Sequence, residues 1–212
     1  MRFLITAGPT REYFDSVRFL SNPSSGKMGY QIAARAAARG HRVELVSGPV
    51  ELPPPKGVRL TRVVSAAEMF EATVSRFASC DVVIMAAAVC DYRPARRSAR
   101  KMPKRRVGLD VQLVPTQDIL AHLGGIKSRQ VVIGFAMEDH DHHAHAALKL
   151  RRKRCDAIVM NGLGNVGSDQ AEVQVLLADG GWQDPIRGSK TKVASSIVKM
   201  AEALVSSRSF RP

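Results

Sequence analysis

Short runs rich in Val, Ile and Leu alternate along this chain with longer stretches in which apolar positions recur every three or four residues. The runs Phe3–Thr6, Arg42–Val46, Arg59–Val63, Val82–Ala86 and Val131–Phe135 read as strands, and Gly26–Arg39, Ala66–Ala78, Asp118–His122 and Asp141–Arg152 as helices. Strands that alternate with helices need crossover connections, which implies a parallel sheet covered on both faces. Beyond Asp156 the pattern changes: Ala157–Met160 is a further core strand, Val173–Ala178 a strand ending at the turn Asp179-Gly180-Gly181, and Lys190–Val205 a closing helix. A hairpin-like insertion at Leu109–Val114 adds a small antiparallel piece whose edge invites pairing with a second copy. Pro53-Pro54-Pro55 is a stiff loop. The expectation is one α/β domain over residues 1–212, doubly wound and mostly parallel (Rossmann-like), with helices on both faces and a small antiparallel extension.

In such sheets ligands gather at the carboxyl ends of the strands. Those ends carry Ala7-Gly8, Ala87-Ala88 and Phe135-Ala136. The connection from Ala7 to Ser25 is far longer than a usual strand-to-helix link, and its Phe14, Val17, Phe19 and Leu20 suit packing better than disorder. It delivers Ser24, Ser25, Gly26 and Gly29 to a helix start, where unpaired amides and the helix dipole stabilise a phosphate or carboxylate. The alternative is that Ser24-Ser25 merely caps its own helix.

Composition narrows the class. Apolar residues form 45% of the 212 residues and aromatics only 5%, so the core is aliphatic; no window approaches a membrane span, and the amino terminus is not a secretion signal. A cytoplasmic protein is expected. Cys80, Cys90 and Cys155 lack metal-like spacing and sit beside apolar neighbours, as buried free thiols do. Lys and Arg exceed Asp and Glu by 32 to 19, a net +13, concentrated in Arg93–Arg106 and Lys149–Arg154. Such fields suit anionic partners, whether nucleic acid or phosphorylated small molecules.

Two rival chemistries fit poorly. An NAD(P)-dependent oxidoreductase of Rossmann type needs Gly-x-Gly-x-x-Gly after the first strand and an acid after the second, but the second ends in Val46-Ser47-Gly48. A P-loop fails because Met28 follows Gly26-Lys27 where a hydroxyl belongs. A basic nucleic-acid-binding module stays open, although only Tyr92 stands near the Arg93–Arg106 cluster to stack a base. The segment Met85-Ala86-Ala87-Ala88 would let a flat base or sugar lie on the backbone, with Asp91 supplying a carboxylate or merely capping a loop. Lys149 and Lys153, four apart on a helix, either flank an anion or form a solvated face. The run from Asp139 to His145 offers a metal pair such as Asp139 with His143, but it reads better as an exposed helix start.

These pieces together resemble the phosphopantothenate-cysteine ligase (phosphopantothenoylcysteine synthetase) family of coenzyme A biosynthesis, in its bacterial CTP-dependent type. The resemblance rests on Ala7–Glu12, Asp15 with Val17-Arg18, Ser21–Gly29, Leu45–Pro49, Ala86–Val89 with Asp91-Tyr92, and Asp118–Leu120. It continues through Gly134–Ala136 with Glu138, Lys149 and Lys153 before Asp156–Val159, and Asn161. It implies that the carboxylate of 4'-phosphopantothenate attacks the α-phosphate of CTP, giving an acyl-cytidylate and pyrophosphate, and that the amine of L-cysteine then displaces CMP. Asn22 and Lys101 would be the catalytic residues, Asn22 against the acyl-cytidylate and Lys101 on a flap over the triphosphate. Met85, Ala86, Ala87, Asp91, Lys101, Gln117, Asp118, Ile119, Leu120, Phe135, Lys149 and Lys153 would line the nucleotide, and Gly8, Ser24, Ser25 and Gly26 the phosphate loop. Magnesium (Mg) would be held through the phosphates, with no protein ligand assigned. The resemblance also implies a homodimer, no nucleic-acid or membrane partner, and a decarboxylase carried on a separate protein. The chain departs from the family pattern at Pro103 in the flap, at Gln117, where proline is usual, and at Ala171, where asparagine is usual.

Overall fold

The computed structural model describes residues 1–104, 108–137, 142–165 and 167–209. Six parallel strands form the body of an eight-stranded sheet: β1 (Arg2–Ala7), β4 (Arg42–Ser47), β5 (Val58–Arg62), β6 (Val82–Met85), β9 (Val131–Met137) and β10 (Ala157–Asn161). The antiparallel strands β11 (Gln170–Leu177) and β12 (Ile186–Ser189) complete it in the order β12-β11-β10-β9-β6-β1-β4-β5. Five helices cover it: α1 (Lys27–Ala38), α2 (Ala66–Phe77), α3 (Ile119–Ile126), α4 (His142–Arg152) and α5 (Lys190–Ser209). Two small ribbons lie outside, β2 (Arg11–Tyr13) with β3 (Phe19–Ser21) and β7 (Tyr92–Pro94) with β8 (Leu113–Pro115).

The expected doubly wound layers are present, because strand side chains alternate between two apolar interiors. On one face Phe3, Ile5 and Ala7 meet Ile32, Ala33 and Ala36 of α1 and Val193, Ile197 and Ala201 of α5. On the other, Leu4 joins Met69 and Phe77 of α2, Leu123 of α3 and Leu150 of α4. Burial on both faces is why the parallel strands read as unbroken aliphatic runs.

Several details differ from the sequence reading. The long connection after β1 contains the β2–β3 hairpin, whose exposed Phe19 and Leu20 give it no inward-outward alternation. Leu109–Val114 is not a hairpin; its end enters β8, which pairs with the distant Tyr92–Pro94. Helix α3 runs past His122 to Ile126, through two glycines that argue against helix. Strand β12 was unforeseen, since a positive φ of 139° at Gly188 interrupts its pattern. Residue 141, the expected start of α4, lies outside the described residues, as do 105–107 of the basic cluster and Glu138, Asp139 and His140.

Two carboxylates tie α5 to the sheet. Asp156, nearly buried, accepts from the Val132 amide at 2.7 Å and Lys127 Nζ at 2.8 Å, and also meets the Arg208 guanidinium. Glu202 bridges Arg39 at 2.6 Å and His41 at 2.6 Å, joining α5 to the turn between α1 and β4. The Arg39 guanidinium is the main cause that brings the Glu202 carboxyl down from 4.5 to about 2, with burial opposing and His41 assisting. A carboxyl with a depressed folded-state pKa contributes stability that is complete above its unfolded value and disappears as pH falls through the folded one. The stability difference between the parent chain and Glu202→Gln is therefore expected to be full at neutral pH and to shrink between about 4.5 and about 2. Urea unfolding across that range measures it, and a difference independent of pH would remove Glu202 from this role.

Candidate functional site

The chain leaves β1 toward β4 and β5 and then crosses back to β6, so the topological switch point lies between β1 and β6. Past the strand ends the two chains continue side by side. The Ala88 amide donates to the Gly8 carbonyl at 2.9 Å and the Thr10 amide to the Ala88 carbonyl at 3.3 Å, while the Ala87 amide donates to Thr6 Oγ1 at 3.2 Å. Met85 is buried beneath, its sulfur 3.7 Å from Thr6 Oγ1. Because Ala86, Ala87 and Ala88 carry only methyl groups, this loop presents mainly backbone.

Asn22 reaches that loop from the end of the β2–β3 hairpin. Its Nδ2 donates to the carbonyls of Ala88 at 3.2 Å and Val89 at 3.1 Å. The amide that the family resemblance sets against an acyl-cytidylate is thus committed to main-chain oxygens in this state. Thr10 Oγ1 accepts from the Cys90 amide at 2.9 Å, Thr116 Oγ1 donates to the Cys90 carbonyl at 2.6 Å, and the Thr116 amide donates to Asp91 O at 2.8 Å. Nothing in the sequence singled out Thr116, since a threonine beside a proline has no local signature. Asp91 itself is exposed.

Helix α1 begins at the same place. Its N-cap is Gly26 at φ 73°, a left-handed conformation that glycine tolerates, and no side chain caps the helix. Ser24 Oγ lies 3.4 Å from the Gly26 amide and Ser25 Oγ 3.5 Å from the Lys27 amide, so the serines brace the turn instead of serving as the N-cap. The first-turn amides therefore lack a side-chain cap, the arrangement in which a helix start can stabilise an anion. A Cβ on Gly26 would stand 3.2 Å from Gly8 Cα, and one on Gly48 only 1.8 Å from the Pro9 carbonyl oxygen. Three backbones meet there, with the Val50 side chain packed against Gly8 and Gly26. Lys27 extends away to Asp169, 2.7 Å distant.

The second group of expected residues converges at α3. Asp118 caps this helix by accepting from the Ala121 amide at 3.0 Å, and its other oxygen pairs with Lys153 Nζ at 2.9 Å. Burial would raise the Asp118 pKa, but the Ala121 amide, Lys153 and the charge of Lys149 together lower it. Lys149 and Lys153 thus share one locality, with Lys153 one residue beyond the end of α4. The approach depends on Gly124, where a Cβ would lie 1.9 Å from the Lys153 carbonyl oxygen. Ile119 and Leu120 are buried in the core, so what they offer a ligand is backbone, and half-buried Phe135 stands at the end of β9. Gln117 is exposed on the rim of a cavity of about 650 Å³ that also touches Arg11, Glu12, Arg93 and Arg97.

Lys101 is exposed, and its neighbour is anchored. The fully buried Asp15 carboxylate accepts from the amides of Val17 at 2.8 Å, Arg18 at 2.7 Å and Met102 at 3.2 Å, and from Arg18 Nη2 at 2.6 Å. Burial alone would push this carboxyl up; the donors of Arg18, Val17 and Met102 outweigh it and hold it well below the usual range. Arg18 Nη2 also donates to the Met102 carbonyl at 2.7 Å, so the segment carrying Lys101 is rooted through both backbone groups of one residue. Among the described residues no three His, Cys, Asp or Glu side chains gather as a metal site, and the His143 ring packs tilted against Trp182 with ring centres 4.3 Å apart. All three cysteines are buried free thiols.

Residues 1–204 match the family described as the DNA/pantothenate metabolism flavoprotein C-terminal domain. The coenzyme A biosynthesis bifunctional protein CoaBC of Bacillus subtilis is 42% identical over 206 residues, which span 95% of this chain and 51% of that protein. A cysteine/cysteine sulfinic acid decarboxylase of an unknown prokaryotic organism is 46% identical over 169 residues, 79% of this chain and 47% of that one. The chain spans about half the length of these curated relatives. The crystal structure of the C-terminal domain of a CoaBC protein superposes with a TM-score of 0.84 at 41% identity, covering 97% of this chain and 96% of that one.

The crowding at Gly48 sets the expected cost of filling it. Gly48→Ala would drive a methyl group into the Pro9 carbonyl, and destabilisation of about 3 kcal/mol is expected by urea unfolding. A variant as stable as the parent would show that the three backbones need not meet so closely.

Proposed function

Since this chain belongs to the DNA/pantothenate metabolism flavoprotein C-terminal domain family, we propose that it is the phosphopantothenate-cysteine ligase of coenzyme A biosynthesis, joining L-cysteine to 4'-phosphopantothenate at the expense of CTP. The observation that carries this reading is one crevice bounded by an uncapped helix start and by a loop nearly without side chains, onto which Asn22 is fastened. The CoaBC relatives support the biosynthetic assignment, and the residue pattern supports the reaction.

A carboxylate is a poor acyl donor, so an oxygen of phosphopantothenate first bonds to the α-phosphorus of CTP as pyrophosphate leaves. The cysteine nitrogen then bonds to the acyl carbon, losing a proton, and CMP departs. In the first step the α1 amides stabilise anionic oxygens, and Lys149 and Lys153 lie where the triphosphate would bring its charge. Lys153 is held by Asp118, which fixes its position before any ligand arrives. Asn22 exchanges its carbonyl partners for the acyl-nucleotide as the loop adjusts. The Lys101 segment closes from its anchor at Asp15. Mg fits this arrangement through the phosphates, because Asp118 is already engaged and Asp91 is the exposed carboxylate nearby. When bound, the ion would neutralise phosphate charge.

The chain is read as cytoplasmic, and no helix among the described residues is long and apolar enough to cross a membrane. A homodimer is supported by exposed Val17, Phe19, Leu20, Tyr92 and Leu113, which cluster on and beside the two small ribbons.

Pyrophosphate release is expected to require CTP and phosphopantothenate together, and CMP release to require cysteine as well. Release from CTP without phosphopantothenate would reject the ligase reading. Asn22→Asp is expected to keep partial pyrophosphate release while losing at least tenfold in amide formation; equal loss of both steps would remove Asn22 from the second. Lys101→Gln should raise the CTP concentration needed for half-maximal rate severalfold, whereas an unchanged requirement would place Lys101 outside the triphosphate site.

A further inference from the structure

The crevice lies at the carboxyl ends of the strands, and a separate cluster of arginines lies at the opposite end. We propose that the amino-terminal end of the sheet forms a second anion site, for a small molecule carrying two or more linked phosphoryl groups, built from Arg2, Arg42 and Arg59 beside a fixed Arg76.

A cavity of about 390 Å³ opens there, lined by these four arginines with Glu44, Gly57, Ser79 and Cys80 among others. The register makes the crowding specific. Arg2 stands directly beside Arg42 on neighbouring strands, and Glu44 beside Arg59. Like charges so placed repel across a strand spacing of roughly 4.8 Å. The carboxylate among the lining residues is already used: Glu44 Oε2 pairs with Arg76 Nε at 3.0 Å. Arg76 is further held by the Ala72 carbonyl at 2.7 Å and Thr61 Oγ1 at 3.2 Å. Asp81, at the margin, accepts from the Arg2 amide at 2.7 Å. The exposed side chains of Arg2, Arg42 and Arg59 make no ion pair with a described residue.

Three such guanidiniums around a concave site have the fork geometry that grips phosphate oxygens in pairs. Arg2 and Arg59 lie two strand spacings and two residues of register apart, roughly 12 Å, which exceeds the reach of one phosphate and suits a di- or triphosphate. The cavity has the size of a small-molecule site and is too small to admit a duplex. Strand β1 separates it from Gly8 by six residues, roughly 20 Å, so the two sites do not share a ligand.

Calorimetric titration of the full chain, of Arg42→Gln/Arg59→Gln and of Lys149→Gln/Lys153→Gln with inorganic pyrophosphate tests the proposal. The arginine variant should lose a site by at least tenfold in affinity, Arg42→Lys by less, with circular dichroism and melting unchanged, while the lysine variant keeps that site. Binding that the arginine variant retains in full overturns the proposal. So does a DNA oligonucleotide that binds the arginines and is not displaced by pyrophosphate. The arginine-dependent site is read without CTP, so failure of the ligase reading, seen as pyrophosphate release without phosphopantothenate, leaves it in place.

Discussion

The crevice exists because three stretches of main chain touch where side chains would ordinarily keep them apart. The end of β1, the turn into α1 and the end of β4 meet at Gly8, Gly26 and Gly48, with the Pro9 carbonyl filling the space a methyl group on Gly48 would need. That contact brings the uncapped α1 amides next to the first strand's tip. It also lets the Gly8–Thr10 segment run beside the Ala87–Cys90 loop, which extends the parallel pairing past the sheet and makes a floor of peptide groups. Everything proposed about activation of a carboxylate depends on that floor being bare.

Charge is organised around it by prior commitment. Asp15 is surrounded by donors from the hairpin and from Met102, so it anchors the segment that carries Lys101. Asp118 does the same for Lys153 while capping α3. Each buried or half-buried carboxylate thereby places a cation or the segment that carries one, and the cost of desolvating it is met by amides as well as by charge. Lys27, by contrast, spans outward to Asp169 and ties α1 to the loop before β11.

The parallel core was legible because its strands are buried on both faces and stand as aliphatic runs separated by amphipathic helices. A crevice at the carboxyl ends of the strands followed from the parallel arrangement and from the small residues at strand tips, while the strand order that sets the switch point did not. What stayed hidden has a common cause. The β2–β3 hairpin and the β7–β8 ribbon have exposed apolar side chains and short strands, so alternation carries no signal. Helix α3 continues through Gly124 because tertiary contact with the Lys153 carbonyl outweighs helix propensity. Thr116 and Gly124 matter only through partners far away in the chain, and no local pattern announces such contacts. Asn22 enters as a candidate only through the family resemblance, and its present partners, two backbone carbonyls, had no sequence signal.

The three thiols carry a chemical consequence of their own. Cys80 and Cys155 are pushed up to about 12, chiefly by burial, and Cys90 is raised by burial too. Only the ionised sulfur exchanges with disulfides. Toward a pool of small thiols and their disulfides the protein therefore offers almost nothing to react with. Its scaffold stays indifferent to the redox state of its surroundings.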